Sequence, residues 1–126
     1  MTLALDTSAL VARHLAIPAR EVATEAMDAD SEWCASALAL TEALVLIDRL
    51  TDEPELRDDW ERIATVPVDQ ACLDRAAELG RGQPLRTIDA LHLAAADRLP
   101  RPVTFVTFDH RQLGVALALG FDVVST

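Results

Sequence analysis

The sequence predicts an α/β fold in which helices flank a central, mostly parallel β-sheet. Short apolar segments alternate with helical patterns along the whole chain, which is typical of this class. The predicted interior strands are continuously apolar rather than alternating, as expected where helices cover both faces of a sheet. The chain has 126 residues and shows no linker, internal repeat or low-complexity segment. We therefore expect a single domain over residues 1–126.

The elements of the first half follow from capping residues and from apolar residues at helical spacing. We expect a strand over Thr2–Leu5, a helix over Ala9–His14 capped by Ser8, a helix over Ala19–Asp28 after Pro18, a strand over Glu32–Ala35, and a helix over Ala37–Arg49 capped by Ser36.

The second half is divided by proline, glycine and further capping residues. We expect a helix over Glu55–Ala64 opened by Pro54, a strand over Thr65–Val68, a helix from the cap Asp69 through Leu79, a helix over Ile88–Leu99 capped by Thr87, a strand over Val103–Phe108, a helix over Arg111–Leu119 stopped by Gly120, and a strand over Phe121–Val124.

The charge balance limits the partners that the protein could bind. There are 11 cationic residues, all of them arginine, against 21 acidic ones, and the net charge is −10. This argues against a protein that coats nucleic acid or an anionic membrane by bulk charge, but it allows a local site. No apolar segment is long enough to span a membrane, so we expect a soluble, cytoplasmic protein. Cys34 and Cys72 match no zinc spacing and are interpreted as buried thiols.

Acidic side chains follow two of the predicted strands. Asp6 comes directly after the first strand, and Asp109 ends the strand that begins at Val103. Ligands of open parallel sheets bind beyond the carboxyl ends of the strands, so both carboxylates face one crevice if these strands are neighbours. No glycine-rich loop follows the first strand, which argues against a dinucleotide or P-loop site. An acidic crevice that meets phosphate needs a divalent cation, for which Mg²⁺ or Mn²⁺ is suited.

Two further acids occupy unusual positions in predicted helices. Glu42 interrupts an apolar helix among buried-type residues, and Asp89 lies in the first turn of another helix. Each acid alone has a structural explanation: a turn or cap, the helix dipole, or a side chain that reaches water. Two carboxylates about 4 Å apart repel each other by roughly 4 kcal/mol at an effective dielectric of 20, so a cluster of four favours a bound metal.

Four blocks of the sequence together resemble PIN-domain proteins, in order and over nearly the whole chain. The blocks are Leu5-Asp6-Thr7-Ser8-Ala9-Leu10, Ser36 to Glu42, Leu85-Arg86-Thr87-Ile88-Asp89-Ala90-Leu91-His92-Leu93-Ala94-Ala95-Ala96, and Val106-Thr107-Phe108-Asp109. The chain is most similar to the small toxins of bacterial VapBC toxin–antitoxin pairs. The resemblance implies a PIN-like three-layer sandwich and a metal-dependent endoribonuclease in which a metal-activated water hydrolyses RNA.

The resemblance also implies the site residues and the partners. The catalytic and metal-binding acids map onto Asp6, Glu42, Asp89 and Asp109, with Mg²⁺ or Mn²⁺ as cofactor. Thr7, Arg86 and Thr107 are candidates for substrate binding, and the resemblance further implies a homodimer and an antitoxin that places a basic segment in the acid pocket. Besides Arg86, Arg13 and Arg20 are candidates for the active edge, while His92 is interpreted as a satisfied, half-buried histidine.

Three other functions could account for parts of the same pattern. A catalytically weak PIN-like binding module would use the acidic pocket to dock a basic partner peptide, and metal-dependent cleavage distinguishes it from the enzyme. A phosphoryl-receiver domain also clusters acids around Mg²⁺, but it uses a lysine and this chain has none. A glycosidase is disfavoured because only 4% of the residues are aromatic, and sugar sites tend to use aromatic platforms.

Overall fold

A computed structural model describes residues 2–30, 32–50 and 55–126. In chain order its elements are β1 (Thr2–Leu5), α1 (Thr7–Ala12), α2 (Ala19–Asp28), β2 (Glu32–Ser36), α3 (Ala37–Leu50), α4 (Glu55–Trp60), β3 (Ile63–Val66), α5 (Gln70–Gly80), α6 (Thr87–Asp97), β4 (Val103–Val106), a 3-10 turn (His110–Gln112), α7 (Leu113–Ala118) and β5 (Asp122–Val124).

The five strands form one parallel sheet in the order β3-β2-β1-β4-β5. β1 lies in the centre, and every residue of β1 and β4 is buried. The predicted α/β class and the adjacency of the strands that precede Asp6 and Asp109 are therefore confirmed. The chain leaves β1 towards β2 and later returns on the other side of β1 as β4. This change of direction opens a crevice at the carboxyl ends of β1 and β4.

Helices cover both faces of the sheet, which confirms the predicted three-layer sandwich. Leu3 and Leu5 point from β1 into a core shared with α1, α2 and α3. Ala4 points to the opposite face, where Leu93 of α6 and Ala116 of α7 pack. A third cluster joins α5 to α6. Alternate residues of one strand thus enter two cores, which explains the continuously apolar pattern of the central strands.

Two predicted helix caps are wrong and two are confirmed. Asp6, rather than Ser8, caps α1, because its carboxylate accepts a hydrogen bond from the Ala9 amide. At α6 the capping position is Arg86, without a side-chain cap bond, and Thr87 is already helical. The caps predicted at Ser36 and Asp69 are confirmed by hydrogen bonds from Ala39 N (3.0 Å) and Cys72 N (3.0 Å).

Several predicted boundaries also need correction. The helix expected over residues 55–64 ends at Trp60, and the strand expected at residues 65–68 lies two residues earlier, because Ile63 and Val66 pair with β2. Pro67 then follows the strand, and a proline has no N–H to continue a ladder. The strand expected to reach Phe108 ends at Val106, and the last predicted helix is a 3-10 turn followed by α7. Pro54 lies outside the described residues.

Two further observations concern the cysteines and the length and polarity of the helices. Cys34 and Cys72 are free and buried, as predicted. Among the described residues, every helix is too short or too polar to cross a membrane.

Candidate active site

A pocket of about 190 Å³ opens at the carboxyl ends of β1 and β4, and we call it the acid pocket. Loops after both strands, the face of α3 and the start of α6 surround it. Its lining residues are Asp6, Thr7, Ser8, Glu42, Leu46, Arg86, Asp89, His92, Asp109 and Gln112. All four acids predicted from the sequence therefore border a single cavity.

Asp6 lies at the bottom of the acid pocket and is only 1% exposed. Its Oδ1 accepts hydrogen bonds from the Ala9 amide (2.9 Å) and the Ser8 hydroxyl (2.7 Å). Its Oδ2 accepts from the Thr107 hydroxyl (2.5 Å) and from the Gln112 side-chain amide (3.0 Å). Four donors from three segments of the chain thus fix this carboxylate in one orientation.

Burial sets the protonation of Asp6. Loss of hydration raises the pKa of the Asp6 carboxyl, and the hydrogen bonds from Thr107, Ser8 and Ala9 oppose that rise without cancelling it. The four hydrogen bonds all come from neutral groups. A cation in the pocket would favour the ionised form, since an opposite charge nearby lowers the pKa of a carboxyl group.

Asp89 is the second fully buried acid, also 1% exposed, in the first turn of α6. Arg86 donates two hydrogen bonds to Asp89, from Nε to Oδ2 and from Nη2 to Oδ1, both 2.9 Å long. The Gln112 Nε2 that bonds Asp6 also lies 3.1 Å from Asp89 Oδ1. The two buried carboxylates consequently face each other across one shared amide nitrogen.

Asp109 is half-buried at the rim. Arg111 donates to it from Nε and Nη2, both at 3.0 Å, and Arg86 Nη2 donates at 3.2 Å. The hydrogen bonds from Arg111 lower the pKa of the Asp109 carboxyl, burial acts against them, and the charge of Arg86 adds to the lowering. Asp109 therefore contributes a negative charge to the pocket at neutral pH.

Glu42 lines the pocket from α3, but it is not buried as the sequence pattern suggested. Its side chain is 38% exposed, and its Oε1 lies 3.8 Å from the Nε2 atom of His92. The apolar spacing of α3 overstated the burial, because only one side of this helix packs on α1 and the sheet, and Thr41 and Val45 are exposed with it.

His92 closes the wall between Asp6 and Glu42. Its ring nitrogens exchange hydrogen bonds with the hydroxyls of Thr7 (3.1 Å) and Ser36 (3.0 Å). Burial lowers the pKa of the imidazole, although the charges of Asp6, Glu42 and Asp89 act in the opposite direction. His92 is the satisfied histidine that we predicted, yet it is buried rather than half-buried.

Sequence reasoning missed two side chains of the site. Gln112 is 1% exposed and bridges Asp6 and Asp89. The Ser8 hydroxyl bonds Asp6 and accepts a hydrogen bond from the Phe108 amide (2.9 Å), which ties the end of β1 to the end of β4. The one local signal for Gln112 is a polar residue where a charge-free segment begins, three residues after Asp109.

The remaining candidates separate into those near the pocket and those away from it. Thr107 is fully buried behind Asp6, and Thr7 is largely buried against His92. Arg86 lies at the mouth, with 54% of its side chain exposed. Arg13 was expected near the active edge, but it pairs with Asp59 at 3.2 Å and lies over the Trp33 ring.

Arg20 is exposed on α2 and is absent from the pocket lining, so it too was placed wrongly. Of the three arginines considered from the sequence, Arg86 alone lines the pocket.

The donor atoms of the pocket suit a hard divalent cation. Asp6, Asp89 and Asp109 supply carboxylate oxygens, and Gln112 adds a buried Oε1 that has no hydrogen-bond partner in the described part of the chain. Oxygen ligands of this kind are those that Mg²⁺ and Mn²⁺ prefer. Over residues 2–30, 32–50 and 55–126, no three acidic, histidine or cysteine side chains stand in metal-binding geometry. The carboxylates are instead bridged by Gln112 and Arg86.

Two comparisons relate the chain to known proteins. It is 39% identical over 61 residues to the ribonuclease VapC47 of Mycobacterium tuberculosis (strain CDC 1551 / Oshkosh), a match that covers 48% of this chain and 44% of that protein. The chain thus spans under half the length of this curated relative. A toxin–antitoxin complex from Klebsiella pneumoniae contains a chain with the same fold, with a TM-score of 0.75 at 21% identity over 98% of this chain and 96% of that one.

The sequence blocks, the parallel sheet with its acidic crevice and the family comparison lead to the same assignment. The family model for the PIN domain matches residues 3–118, so the chain belongs to the PIN-domain family.

Proposed function

We propose that the protein is a metal-dependent endoribonuclease that hydrolyses RNA phosphodiester bonds and acts as the toxin of a type II toxin–antitoxin pair. The observation that carries the proposal is the convergence of three carboxylates on shared donors. Gln112 Nε2 lies within 3.1 Å of both Asp6 and Asp89, and Arg86 Nη2 lies within 3.2 Å of both Asp89 and Asp109. Helix capping alone would not require these three carboxylates to lie in one pocket.

In the proposed site Asp6, Asp89 and Asp109 hold the metal, and Glu42 completes the acidic wall from α3. A divalent ion bound there would polarise the phosphodiester and lower the pKa of an attacking water. Thr107 keeps Asp6 in place, since its buried hydroxyl donates to Oδ2 and accepts from the Asp109 amide at 3.1 Å. The sequence suggested that Thr107 binds substrate; because the residue is fully buried, we propose this positioning role for it.

Arg86 and Thr7 are proposed to face the substrate. Arg86 is exposed at the mouth, and a guanidinium fork can pair with phosphate in the same bidentate way that it pairs with Asp89. Thr7 lines the pocket beside Asp6 at the first turn of α1. Its hydroxyl is held by His92, so we assign it to shaping the wall against which the ribose-phosphate chain lies.

An antitoxin protein with a basic segment is the proposed partner, and a homodimer is the proposed assembly. The acid pocket already accepts one guanidinium, Arg86, across Asp89 and Asp109. An arginine from a partner would find the same carboxylates. The structural likeness to a chain of a toxin–antitoxin complex supports this partner class. Sedimentation of the protein alone tests the homodimer, and sedimentation with an added arginine-rich peptide tests the class of partner.

The proposal is tested by incubating the purified protein with total cellular RNA in EDTA, Mg²⁺ or Mn²⁺. We expect discrete cuts that require the metal. Asp6→Asn and Asp89→Asn should abolish them, because each change removes a carboxylate that is proposed to hold the metal, and the melting temperatures show whether each variant has folded. Asp122→Asn is the matched control, since Asp122 is exposed on the edge strand β5, and it should cleave as the parent does.

The alternative function is a docking module whose acid pocket binds a basic peptide without catalysis. The observation that favours it is the occupation of the carboxylates by Arg86. A folded protein that binds an arginine-rich peptide but yields no metal-dependent cut in any RNA preparation would replace the nuclease with this function. If Asp89→Asn unfolds the chain, Asp89 is a structural residue of α6.

A further inference from the structure

A second concavity of about 340 Å³ lies beside the acid pocket, between the end of α5, the loop that follows it and α7. We call it the α5–α7 groove. Arg81, Gln83 and Pro84 line one side, and Gly114, Val115 and Ala118 line the other. Its volume falls within the range of roughly 300–1,000 Å³ that is common for small-molecule sites.

The groove and the acid pocket are joined by one side chain. Arg111 lines the groove, and its guanidinium also donates two hydrogen bonds to Asp109 at 3.0 Å. The Arg111 side chain thus lies between Asp109, at the rim of the acid pocket, and the α5–α7 groove.

The groove carries an unpaired positive charge, although the protein as a whole is negative. The chain carries a net charge of −10, yet Arg81 and Arg111 both border this groove, and of these two Arg111 is already paired with Asp109. The acidic residue of its lining, Glu78, is already paired with Arg75 at 3.0 Å.

Arg81 differs from most of its neighbours of like charge. In the described part of the chain its side chain makes no hydrogen bond or ion pair, whereas Arg75, Arg98 and Arg101 are each bound to carboxylates. An unpaired guanidinium in a protein with excess acid is available to an anion, and its fork matches the geometry of phosphate.

We propose that the α5–α7 groove is a subsite for one unpaired nucleotide of single-stranded RNA next to the scissile phosphate. The proposal rests on the proposed nuclease function, because that function puts an RNA strand in the acid pocket. Arg81 contacts the phosphate chain, Arg111 stays paired with Asp109, and the base lies against the apolar surface of Val115 and Pro84. The Gln83 amide offers a donor and an acceptor to the base edge. An unpaired base is required, because a paired one cannot present its face to the wall.

One pair of variants tests the groove itself. Ala118→Glu places a carboxylate in the groove, and Leu117→Glu places the same charge on the adjacent residue of α7, which is 61% exposed and does not line the groove. Binding of a short fluorescent single-stranded oligoribonucleotide is measured by anisotropy with Mg²⁺ in the Asp89→Asn background, so that the acid pocket can hold its cation and no cleavage intervenes. We expect Ala118→Glu to weaken binding about tenfold more than Leu117→Glu, because a like charge would face the phosphates directly.

A second pair tests the phosphate contact. Arg81→Gln removes the unpaired charge, whereas Arg62→Gln removes a charge at the opposite edge of the sheet, just before β3, where the guanidinium stacks on Trp33. Loss of one phosphate contact should flatten the slope of log affinity against log salt by about 0.7. Arg62→Gln should leave the slope of the parent unchanged. Melting temperatures of all four variants show whether each has folded.

The outcomes separate the subsite from the enzyme. If the folded Ala118→Glu and Leu117→Glu variants bind RNA equally, or Arg81→Gln keeps the parent's salt slope, the groove is not an RNA subsite, even where the parent cleaves RNA with metal. If the groove variants lose binding selectively while the parent never cleaves RNA, the subsite stands and the nuclease function fails. A parent that binds no oligoribonucleotide overturns the subsite.

Discussion

Arg86 places a positive charge between Asp89 and Asp109, on oxygens that a divalent ion would also use. Its guanidinium makes two bonds to Asp89 and one to Asp109, of 2.9, 2.9 and 3.2 Å. Hydrogen bonding to Asp89 raises the pKa of Arg86, so this charge persists at all working pH values. Since a carboxylate oxygen engaged by a guanidinium is less available to a metal, Arg86 and the proposed ion would compete for the pocket.

Replacing Arg86 should therefore change metal affinity as well as activity. We expect Arg86→Ala to tighten Mn²⁺ binding about fivefold, the factor that corresponds to roughly 1 kcal/mol for a partly exposed ion pair. The melting temperature of the metal-free protein should fall, because Asp89 and Asp109 lose a shared counter-charge. Calorimetric titration of Mn²⁺ measures the first effect, and thermal unfolding in EDTA measures the second.

Arg86→Lys and Arg98→Ala are the controls for that titration. Lysine keeps the charge without the fork, so its metal affinity should lie between those of the parent and Arg86→Ala. Arg98 pairs with Asp69, outside the acid pocket, and Arg98→Ala should bind Mn²⁺ as the parent does. Unchanged or weaker Mn²⁺ binding by Arg86→Ala would show that the arginine does not compete with the ion.

The residues of the acid pocket differ in how far the sequence could predict them. Asp6 and Asp109 were predictable because each follows an apolar strand, and the ends of neighbouring parallel strands meet. Gln112 was not, because its contact with Asp6 spans 106 positions, and its one local signal, a polar residue at the start of a charge-free segment, does not indicate that contact. Glu42 lines the pocket, as predicted, but its side chain is less buried than the sequence pattern suggested. Helical spacing does not show which side of α3 stays uncovered by the rest of the fold.

Asp97, the last residue of α6, holds this helix at the end opposite Asp89. It accepts hydrogen bonds from Arg75 of α5 (2.9 Å) and from Arg101, ahead of β4 (2.6 Å). Burial acts to raise the pKa of the Asp97 carboxyl, but the bonds from Arg101 and Arg75 outweigh it and lower the pKa below its ordinary value. The clamp fixes the position of α6 between α5 and the start of β4.

Asp97→Asn should lower stability in a pH-dependent way. A carboxyl whose folded pKa is depressed stabilises the protein fully above its unfolded pKa of about 3.9 and loses that contribution as pH falls through the folded pKa. We therefore expect a deficit of about 1 kcal/mol at pH 7 that shrinks as the pH falls below about 4. Urea unfolding at several pH values measures it. A deficit that stays constant down to pH 2 would mean that the charge of Asp97 is irrelevant.

The packing of α5 against α6 depends on buried leucine and small side chains. Leu91 is 8% exposed and lies in the cluster with Cys72 and Ala76. Leu91→Ala should cost about 2–5 kcal/mol of unfolding free energy through the cavity that it leaves. Leu117→Ala, at a position that is 61% exposed, should change the free energy by less than about 0.5 kcal/mol. Equal unfolding midpoints for the two variants would show that the α5–α6 contact is not a stabilising core.

The sequence predicted which helices and strands form more accurately than the residues at which they begin and end. The bounds of α2 and β1 agree with the sequence prediction, because a proline and an aspartate mark them. The start of α1 was misplaced because Asp6 and Ser8 are both good caps, and only the fold shows that the Ser8 hydroxyl bonds Asp6 and the Phe108 amide instead. The α4–β3 boundary was misplaced because register with β2, a long-range feature, decides it.

On the scale of the whole molecule, the protein is strongly negative, but a few arginines lie together on one part of its surface. A net charge of −10 repels RNA at long range, whereas Arg81, Arg86 and Arg111 lie around the acid pocket and the α5–α7 groove. Bulk charge therefore cannot hold RNA on this surface, and the few local contacts must select it. For the proposed nuclease, this arrangement favours few substrates over indiscriminate degradation of RNA.

The salt dependence of cleavage follows from the number of arginines that can contact phosphate. Each phosphate contact on a single strand contributes a slope of about −0.7 in log affinity against log salt, so three arginines give a slope no steeper than about −2. Long-range repulsion from the remaining acids makes the slope shallower, because salt screens the repulsion as well. Measurement of kcat/KM on one cut site over a range of KCl concentrations at fixed Mg²⁺ gives the slope. A slope near −5 would require several more cationic contacts than this surface offers, and would place the RNA on a face formed by another chain.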